Sequence, residues 1–280
     1  MNKLIINADD FGLCDSVNEA IVDCFVQKNL TSATLMVNTK SSTKALELSK
    51  KYNIPIGLHF NIVRGKSLAG RSTITDNDNF FFSRKELFKR IIKNQVNPQD
   101  IQLEFLAQIK FLENEEVNFT HFDSDNHSHY NPFIIKALRN IIISKNINVR
   151  NLNPLKFSNP LLNLNRNIKQ TYYKLINFFF WDKNFQGNNY LTSIYDLNSI
   201  KKINKENYNK LIKTNYSNII LELMVHPYKK SEELFKIYTT KKEIEFVNNC
   251  IKEYEILSND YGLFLNQNYQ LSSFKALISS

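Results

Sequence analysis

Short apolar runs alternate along this chain with longer stretches of helical periodicity. Leu4–Ala8 is typical of a buried strand, and in the following Ser16–Lys28 the apolar residues recur on one helical face. Repeated strand–helix alternation predicts a parallel sheet, either open or closed into a barrel. Seven predicted strands in 280 residues favour an α/β fold of the (β/α) barrel type, distorted or incomplete.

No internal repeat or domain boundary is visible, so residues 1–280 are predicted to form one domain with a less regular insertion around 152–190. The predicted strands are Leu4–Ala8, Ala33–Val37, Ile54–Phe60, Phe119–Phe122, Ile147–Arg150, Asn218–Val225 and Leu263–Asn266. The predicted helices are Ser16–Lys28, Thr43–Lys51, Ser83–Asn94, Pro98–Glu115, Pro132–Ser144, Leu197–Thr214 and Lys241–Ser258.

Cysteine usage and the first residues predict a cytoplasmic protein. Cys14, Cys24 and Cys250 form no CxxC pair and cannot build a disulfide framework, which is typical of a reducing compartment. The N-terminal apolar run is short and is followed at once by two acids, unlike an export signal. No apolar run is long enough to cross a bilayer, so any membrane contact is expected to be peripheral.

The net charge is +9, from 36 basic and 27 acidic residues. Such a balance favours attraction to phosphate, in nucleic acid or at an anionic membrane. It is equally typical of a sequence that is simply rich in lysine. The basic residues are dispersed and no nucleic-acid recognition motif is present, so no nucleic-acid partner is predicted. No oligomeric state is predicted.

Acids and histidines fall where the predicted strands end. They are Asp9, Asp10, His59, His121, Asp123 and His226. The carboxyl ends of parallel strands are where barrels and open sheets place their active sites. The chain has only five histidines, so their concentration at these positions predicts a functional site there.

Two adjacent carboxylates at the end of a buried strand repel each other unless a cation or a proton relieves them. In Asn7-Ala8-Asp9-Asp10-Phe11-Gly12, a divalent metal is the natural cation, with one aspartate as ligand and the other free to act as a base. The alternative is an acid pair at a helix N-terminus, because Asp15-Ser16 also starts the next helix. This motif alone leaves both open.

A second segment, Thr120 to His129, concentrates possible ligands. If it is extended, Asp123, Asp125, His127 and His129 alternate onto one face. A solvated polar loop is the alternative. Two shorter motifs add one histidine each: Gly57-Leu58-His59 and Glu222-Leu223-Met224-Val225-His226-Pro227.

These four motifs together resemble the YdjC-like (ChbG/HpnK) carbohydrate deacetylases, in order and spacing from residue 1 to about residue 230. The resemblance implies a barrel-like fold and metal-dependent removal of acetyl from an N-acetylated amino sugar. It implies Asp9 as the general base and His226 as the proton donor to the leaving nitrogen. The metal, Mg²⁺, Zn²⁺ or Mn²⁺, would polarise the acetyl carbonyl. The implied metal ligands are Asp10, His59 and Asp125, and the candidates for orienting the sugar or the ligands are Asn61, Asp123, His127 and Tyr228.

The resemblance departs from the family pattern at one ligand. The family usually reads Asp-Ser-His-x-His-x-His, and its first histidine corresponds to Asp125 here, while His127 and His129 keep the later places. Either Asp125 is the third ligand or His127 replaces it. The lost histidine also leaves open a non-catalytic sugar-binding relative.

The resemblance leaves the sugar open between soluble chito-oligosaccharides and a lipid-linked N-acetylhexosamine. Residues 172–181 carry the only tryptophan and a dense group of aromatic residues, flanked by lysines. This composition is typical of an interfacial helix as well as of an ordinary packed helix. With the positive charge, it favours a polyprenyl-phosphate-linked sugar used in envelope glycan or lipopolysaccharide modification, at the inner face of the cytoplasmic membrane.

Overall fold

The computed structural model describes residues 1–156, 164–196, 203–265 and 269–278. Six parallel strands form the sheet in the order β4-β3-β2-β1-β6-β5, and β7 pairs with the start of β1. The sheet curls into a half-barrel with helices packed around it. The predicted α/β fold, a distorted (β/α) barrel, is therefore confirmed. The strands are β1 Lys3–Phe11, β2 Ser32–Leu35, β3 Ile56–Phe60, β4 Phe122–Ser124, β5 Tyr190–Ser193, β6 Ile220–Val225 and β7 Gln270–Ser272.

The helices follow the strands as the alternation predicts. They are α1 Asp15–Val26, α2 Ser42–Tyr52, α3 Arg84–Ile92, α4 Pro98–Asn114, α5 Pro132–Ser144, α6 Leu164–Phe180, α7 Lys205–Ile212, α8 Glu232–Ile237, α9 Lys241–Asn259 and α10 Lys275–Ile278. Pro98 and Pro132 stand first in α4 and α5, where a missing N–H costs nothing. The side chains of the preceding Asn97 and Asn131 accept hydrogen bonds from the first turn. Among the described helices, none is both long and apolar enough to cross a membrane.

Three predicted strands differ from the structure. The fourth begins at Phe122 rather than Phe119, so that Asp123 lies inside it and pairs in register with His59. Ile147–Arg150 is reduced to a single bridge between Val149 and Phe122.

The last predicted strand, Leu263–Asn266, is wrong. Residues 261–265 form a turn, Asn266 lies outside the described residues, and the strand follows at Gln270. The apolar Leu263 and Phe264 are buried in the core from this turn, so their apolar character does not indicate a strand. The first part of the predicted helix Leu197–Thr214, residues 197–202, lies outside the described residues. In the described part, the helix α7 runs from Lys205 to Ile212.

Candidate active site

The two adjacent aspartates of β1 reach one site because the strand is interrupted there. Successive side chains of a regular strand point to opposite faces of the sheet. The register of β1 against β2 shifts between Ala8 and Phe11, and Asp10 has a left-handed backbone with φ of 67°. Aspartate tolerates this conformation better than most residues. As a result, both Asp9 and Asp10 lie beside His59.

The His59 ring is held between two carboxylates. Its Nδ1 lies 2.7 Å from Oδ1 of Asp123, and its Nε2 lies 3.3 Å from Oδ1 of Asp10. The other oxygen of Asp123 accepts a hydrogen bond of 3.1 Å from the Thr34 hydroxyl. Histidines that bind metals are commonly oriented in this way by a carboxylate on the second ring nitrogen. The geometry therefore leaves Nε2 as the nitrogen directed towards Asp10.

Asp125 completes a group that could hold a metal ion. The possible ligand atoms of Asp10, His59 and Asp125 lie within 4.8 Å of one another, and all three residues are buried. Nε of Arg64 donates to Asp125 at 2.8 Å, and the side-chain amide of Asn126 donates to its other oxygen at 2.7 Å. Two carboxylate oxygens and one imidazole nitrogen suit Mg²⁺, Mn²⁺ or Zn²⁺. The donor set thus fits a divalent cation.

The charges around this group also favour a cation. Four aspartates, at positions 9, 10, 123 and 125, face two arginines, Arg150 and Arg64. Burial opposes the proton on His59, but the charge of Asp123 and the contact with Asp10 outweigh it and hold the pKa of His59 well above its usual value. A bound metal ion would require His59 to lose its proton. The four aspartates would then exceed the two arginines by two negative charges, which one divalent ion would balance.

Arg150 is a residue of this site that the sequence interpretation missed. Its side chain is fully buried and binds three carboxylates. Both terminal nitrogens donate to Asp9 at 2.6 Å, Nη1 lies 2.5 Å from Asp123, and Nε donates to Glu222 at 2.7 Å. An arginine in a sequence is normally a surface charge. The available signal was its place at the end of the predicted Ile147–Arg150 strand, the same edge that carries the acids.

Arg150 sets the protonation of its partners. Burial raises the pKa of Asp9, but the Arg150 guanidinium outweighs this and holds that pKa below its ordinary value. For Glu222, burial prevails over the same guanidinium and raises the pKa to about 7. Asp9 is therefore a carboxylate at neutral pH, held by two hydrogen bonds to one planar group.

His226 follows the end of β6 and faces Asp9. Its Nε2 lies 3.8 Å from Oδ2 of Asp9, and its ring packs edge-on against Phe246. Nδ1 is buried and has no hydrogen-bond partner among the described residues. The predicted base and the predicted acid therefore stand next to each other at the strand ends.

Asn61 and Tyr228, two of the candidates for orienting the sugar or the ligands, are fully buried. The side-chain oxygen of Asn61 accepts from the N–H groups of Val63 and Arg64 at 3.1 Å, and so it fixes the turn that carries Arg64. The Tyr228 hydroxyl donates to Asp10. Asp123, a third candidate, is also fully buried and contacts His59 and Arg150.

The segment after β4 is not extended, which corrects the predicted alternation of four ligands. Residues 125–130 form a 3₁₀ segment in which Asn126 and His127 have left-handed backbones. His129 turns inward and bonds the Ser124 hydroxyl at 2.6 Å. The His127 ring packs edge-on against Tyr173. Among the described residues, neither group that could hold a metal includes His127, whereas Asp125 belongs to one of them.

Two curated relatives of this chain share one name. A protein of Xenopus laevis named carbohydrate deacetylase is 35% identical over 145 residues, which cover 50% of this chain and 47% of that protein. One of the same name from Vibrio cholerae is 29% identical over 151 residues, covering 54% of this chain and 59% of that protein. The chain thus spans about half the length of the curated relatives that it matches.

A solved structure supports the fold over the whole chain. It comes from Enterococcus faecalis V583, from a protein named for a proposed cleavage of cellobiose phosphate. The TM-score is 0.73 at 20% identity, with 99% of this chain and 98% of that chain covered. The family model described as YdjC-like protein matches residues 3–261. The chain therefore belongs to the YdjC-like protein family.

Proposed function

We propose that this protein is a metal-dependent carbohydrate deacetylase that hydrolyses the acetamide of an N-acetylated amino sugar. The observation that carries the proposal is the junction of two groups at one edge of the sheet. Asp10, His59 and Asp125 form a donor set for a cation, and Asp9 stands beside them with His226 at 3.8 Å. The name shared by the relatives indicates the substrate class.

In this proposal, Asp10, His59 through Nε2, and Asp125 hold Mg²⁺, Zn²⁺ or Mn²⁺. When bound, such an ion stabilises negative charge on the acetyl oxygen and makes water more acidic. The protein supplies the orientation. Asp123 fixes the His59 ring from behind, Tyr228 holds Asp10, and Arg64 holds Asp125.

Asp9 is the proposed general base. Arg150 keeps it ionised and fixes its plane through two hydrogen bonds of 2.6 Å. Oδ1 of Asp9 also accepts from the Asn7 amide at 3.0 Å, whereas Oδ2 accepts only from Arg150 among the described residues and keeps a second acceptor site, through which Asp9 can accept a proton from water. Its low pKa makes it a weak base in bulk water, and therefore the reaction depends on an acidified nucleophile.

His226 is the proposed general acid. Its ring is nearly buried at the strand end, with Nε2 3.8 Å from Asp9, and in this proposal it donates a proton to the leaving amine.

For the sugar we propose a lipid-linked N-acetylhexosamine, of the polyprenyl-phosphate type used in envelope glycan or lipopolysaccharide modification, with action at the cytoplasmic face of the membrane. The support is an exposed aromatic surface on α6, described below, together with the net charge of +9. A soluble chito-oligosaccharide is the alternative, and it is favoured by the relatives, whose shared name mentions only carbohydrate.

The test is acetate release from a panel of soluble and lipid-linked N-acetyl sugars by protein stripped of metal and then reloaded with Mg²⁺, Mn²⁺ or Zn²⁺. We expect release only after reloading. Asp9→Asn should lower the turnover rate about 10²–10⁴-fold while bound metal, measured by elemental analysis, stays near one per chain.

The matched control is Asp78→Asn, because Asp78 is an exposed acid on a loop outside the site. It should leave turnover unchanged. Sugar binding without acetate release under every metal would contradict the proposal and favour the sugar-binding relative.

A further inference from the structure

The helix α6 exposes a continuous apolar face. Its apolar residues recur at intervals of three or four along 17 residues and so share one side of the helix. Their exposed fractions run from 43% to 81%. The face consists of Leu164, Ile168, Tyr172, Leu175, Phe178 and Phe179.

The opposite side of α6 is packed on the body of the protein. Tyr173 and Ile176 are buried there, against Tyr130 and Leu152. Trp181, the last residue of the aromatic segment 172–181, also turns inward and packs on Tyr130. The exposed side chains are therefore not a frayed end but the outer surface of a helix with a well-packed inner surface. Scattered exposed apolar residues are ordinary, but a contiguous patch indicates a binding surface.

The charges beside this face favour an anionic partner. The helix contains no aspartate or glutamate, and Arg166, Lys169 and Lys174 stand on it. Burial, together with Arg166 and Arg84, lowers the pKa of Lys169 to about 7, so a phosphate beside it would restore its charge. Aromatic side chains bordered by lysines are typical of helices that lie in a membrane interface.

A second copy of the chain fits this face less well. A helix of this length is about 26 Å long, so a stripe about 10 Å wide offers roughly 260 Å², well below the about 800 Å² that each partner buries in a stable complex.

The face is joined to the candidate active site. Arg166 pairs with Asp196, which ends the short 3₁₀ helix after β5, and Tyr173 packs on His127, which follows β4. The first half of α6 thus lies over the carboxyl edge of the sheet. A surface that held this face would also lie close to the mouth of the site.

We propose that the exposed face of α6 docks on an anionic lipid bilayer. Leu164, Ile168 and Leu175 enter the boundary between head groups and acyl chains together with the aromatic rings. Lys169 and Lys174 contact lipid phosphates, whereas Arg166 stays paired with Asp196. Docking concerns the surface of the protein, so it does not depend on the deacetylase reaction.

Cosedimentation of the full chain with vesicles of phosphatidylcholine, with and without phosphatidylglycerol, tests this proposal. We expect binding to the anionic vesicles that weakens at high salt. Phe178→Ser/Phe179→Ser should lower the partition coefficient about tenfold or more, because two large apolar side chains no longer insert. Lys174→Glu should lower it roughly fivefold for each unit of charge removed.

The control is Ile92→Ser/Leu103→Ser, which removes two apolar side chains that are 82% and 57% exposed on other helices and should not change binding. Emission of Trp181, the only tryptophan, verifies that the variants keep the fold under α6. Equal cosedimentation of wild type and Phe178→Ser/Phe179→Ser would overturn the proposal. The proposal would also be overturned if the wild type were a dimer, if Phe178→Ser/Phe179→Ser dissociated that dimer, and if neither protein bound vesicles. Asp9→Asn, which should lose turnover, should still bind the vesicles. The membrane proposal can therefore succeed or fail independently of the deacetylase proposal.

Discussion

Two arginines contact the acids of this site in very different surroundings. Arg150 is fully buried and is shared by Asp9, Asp123 and Glu222. Arg64 is 30% exposed at the rim, contacts Asp125 among the acids, and lies over the ring of Tyr238 at 5.0 Å. The inner arginine cannot leave without stranding three buried carboxylates. The outer one can turn to solvent, so a cation can take over its role at Asp125.

The largest effect that we expect from the difference between the two arginines is the loss of stability when Arg150 is replaced. We expect Arg150→Gln to lower the free energy of unfolding by about 3–5 kcal/mol, because it leaves buried carboxylates without a counter-charge. Urea unfolding measures this loss. Arg139→Gln, which removes a half-exposed arginine paired with Asp182, is the control and should change stability little. Equal stability of Arg150→Gln and wild type would show that the inner arginine is as dispensable as the outer one.

The second prediction concerns the carboxylate that Arg64 holds. Asp125→Ala should lower the affinity for Mn²⁺ by at least the roughly 10–100-fold seen when even an outer-shell partner of a metal is lost. His127→Ala should leave the affinity nearly unchanged, because its ring packs on Tyr173 outside the donor group. Titration calorimetry measures both. The reverse order of effects would make His127 the third ligand.

The third prediction follows from the raised pKa of His59. A cation must displace the proton at Nε2, so metal binding releases a proton. The affinity should therefore fall about tenfold for each unit of pH below the raised pKa and level off above it. Calorimetry in two buffers with different ionisation enthalpies counts the released protons. No proton release at pH 7 would contradict the raised pKa.

The smallest effect is expected at Arg64. Arg64→Gln removes a positive charge near the donor group and should raise Mn²⁺ affinity about three- to tenfold, less at high salt. Arg64→Lys keeps the charge and should resemble wild type. A lower affinity in Arg64→Gln would mean that the hydrogen bond to Asp125 outweighs the charge, and the two arginines would then act alike.

The sequence predicted the parts of the fold in which local patterns and tertiary structure agree. β1 and β3 were predicted because each has a buried apolar segment, and the acids and the histidine near their carboxyl ends were expected at one edge of the sheet, where the structure brings them together. The strand β5 was missed because Tyr190-Leu191-Thr192-Ser193 is short and holds a single aliphatic residue. It is a strand because β6 offers it an edge, which no local pattern reveals.

The limits at the site have the same origin. Arg150 binds carboxylates up to 141 residues away along the chain, and only the assembled sheet brings them together. His127 was expected on the face of Asp125 from strict alternation, but two consecutive left-handed residues turn it away. The sequence indicates which residue types meet at an edge, whereas backbone turns decide which atoms face each other.

The bulge in β1 has a consequence for how the site can vary. Asp9 and Asp10 share one site because these two residues stand between Ala8 and Phe11 where β2 has only one residue between Ala33 and Leu35. β1 continues its pairing with β2 on either side. Deleting one residue there would restore a one-to-one register with β2, but it would also remove one of the two aspartates. The pairing of the proposed base with a proposed metal ligand is therefore encoded in the number of residues in β1 as well as in their identity. Insertions and deletions at this point are the changes most able to separate binding from chemistry in this fold.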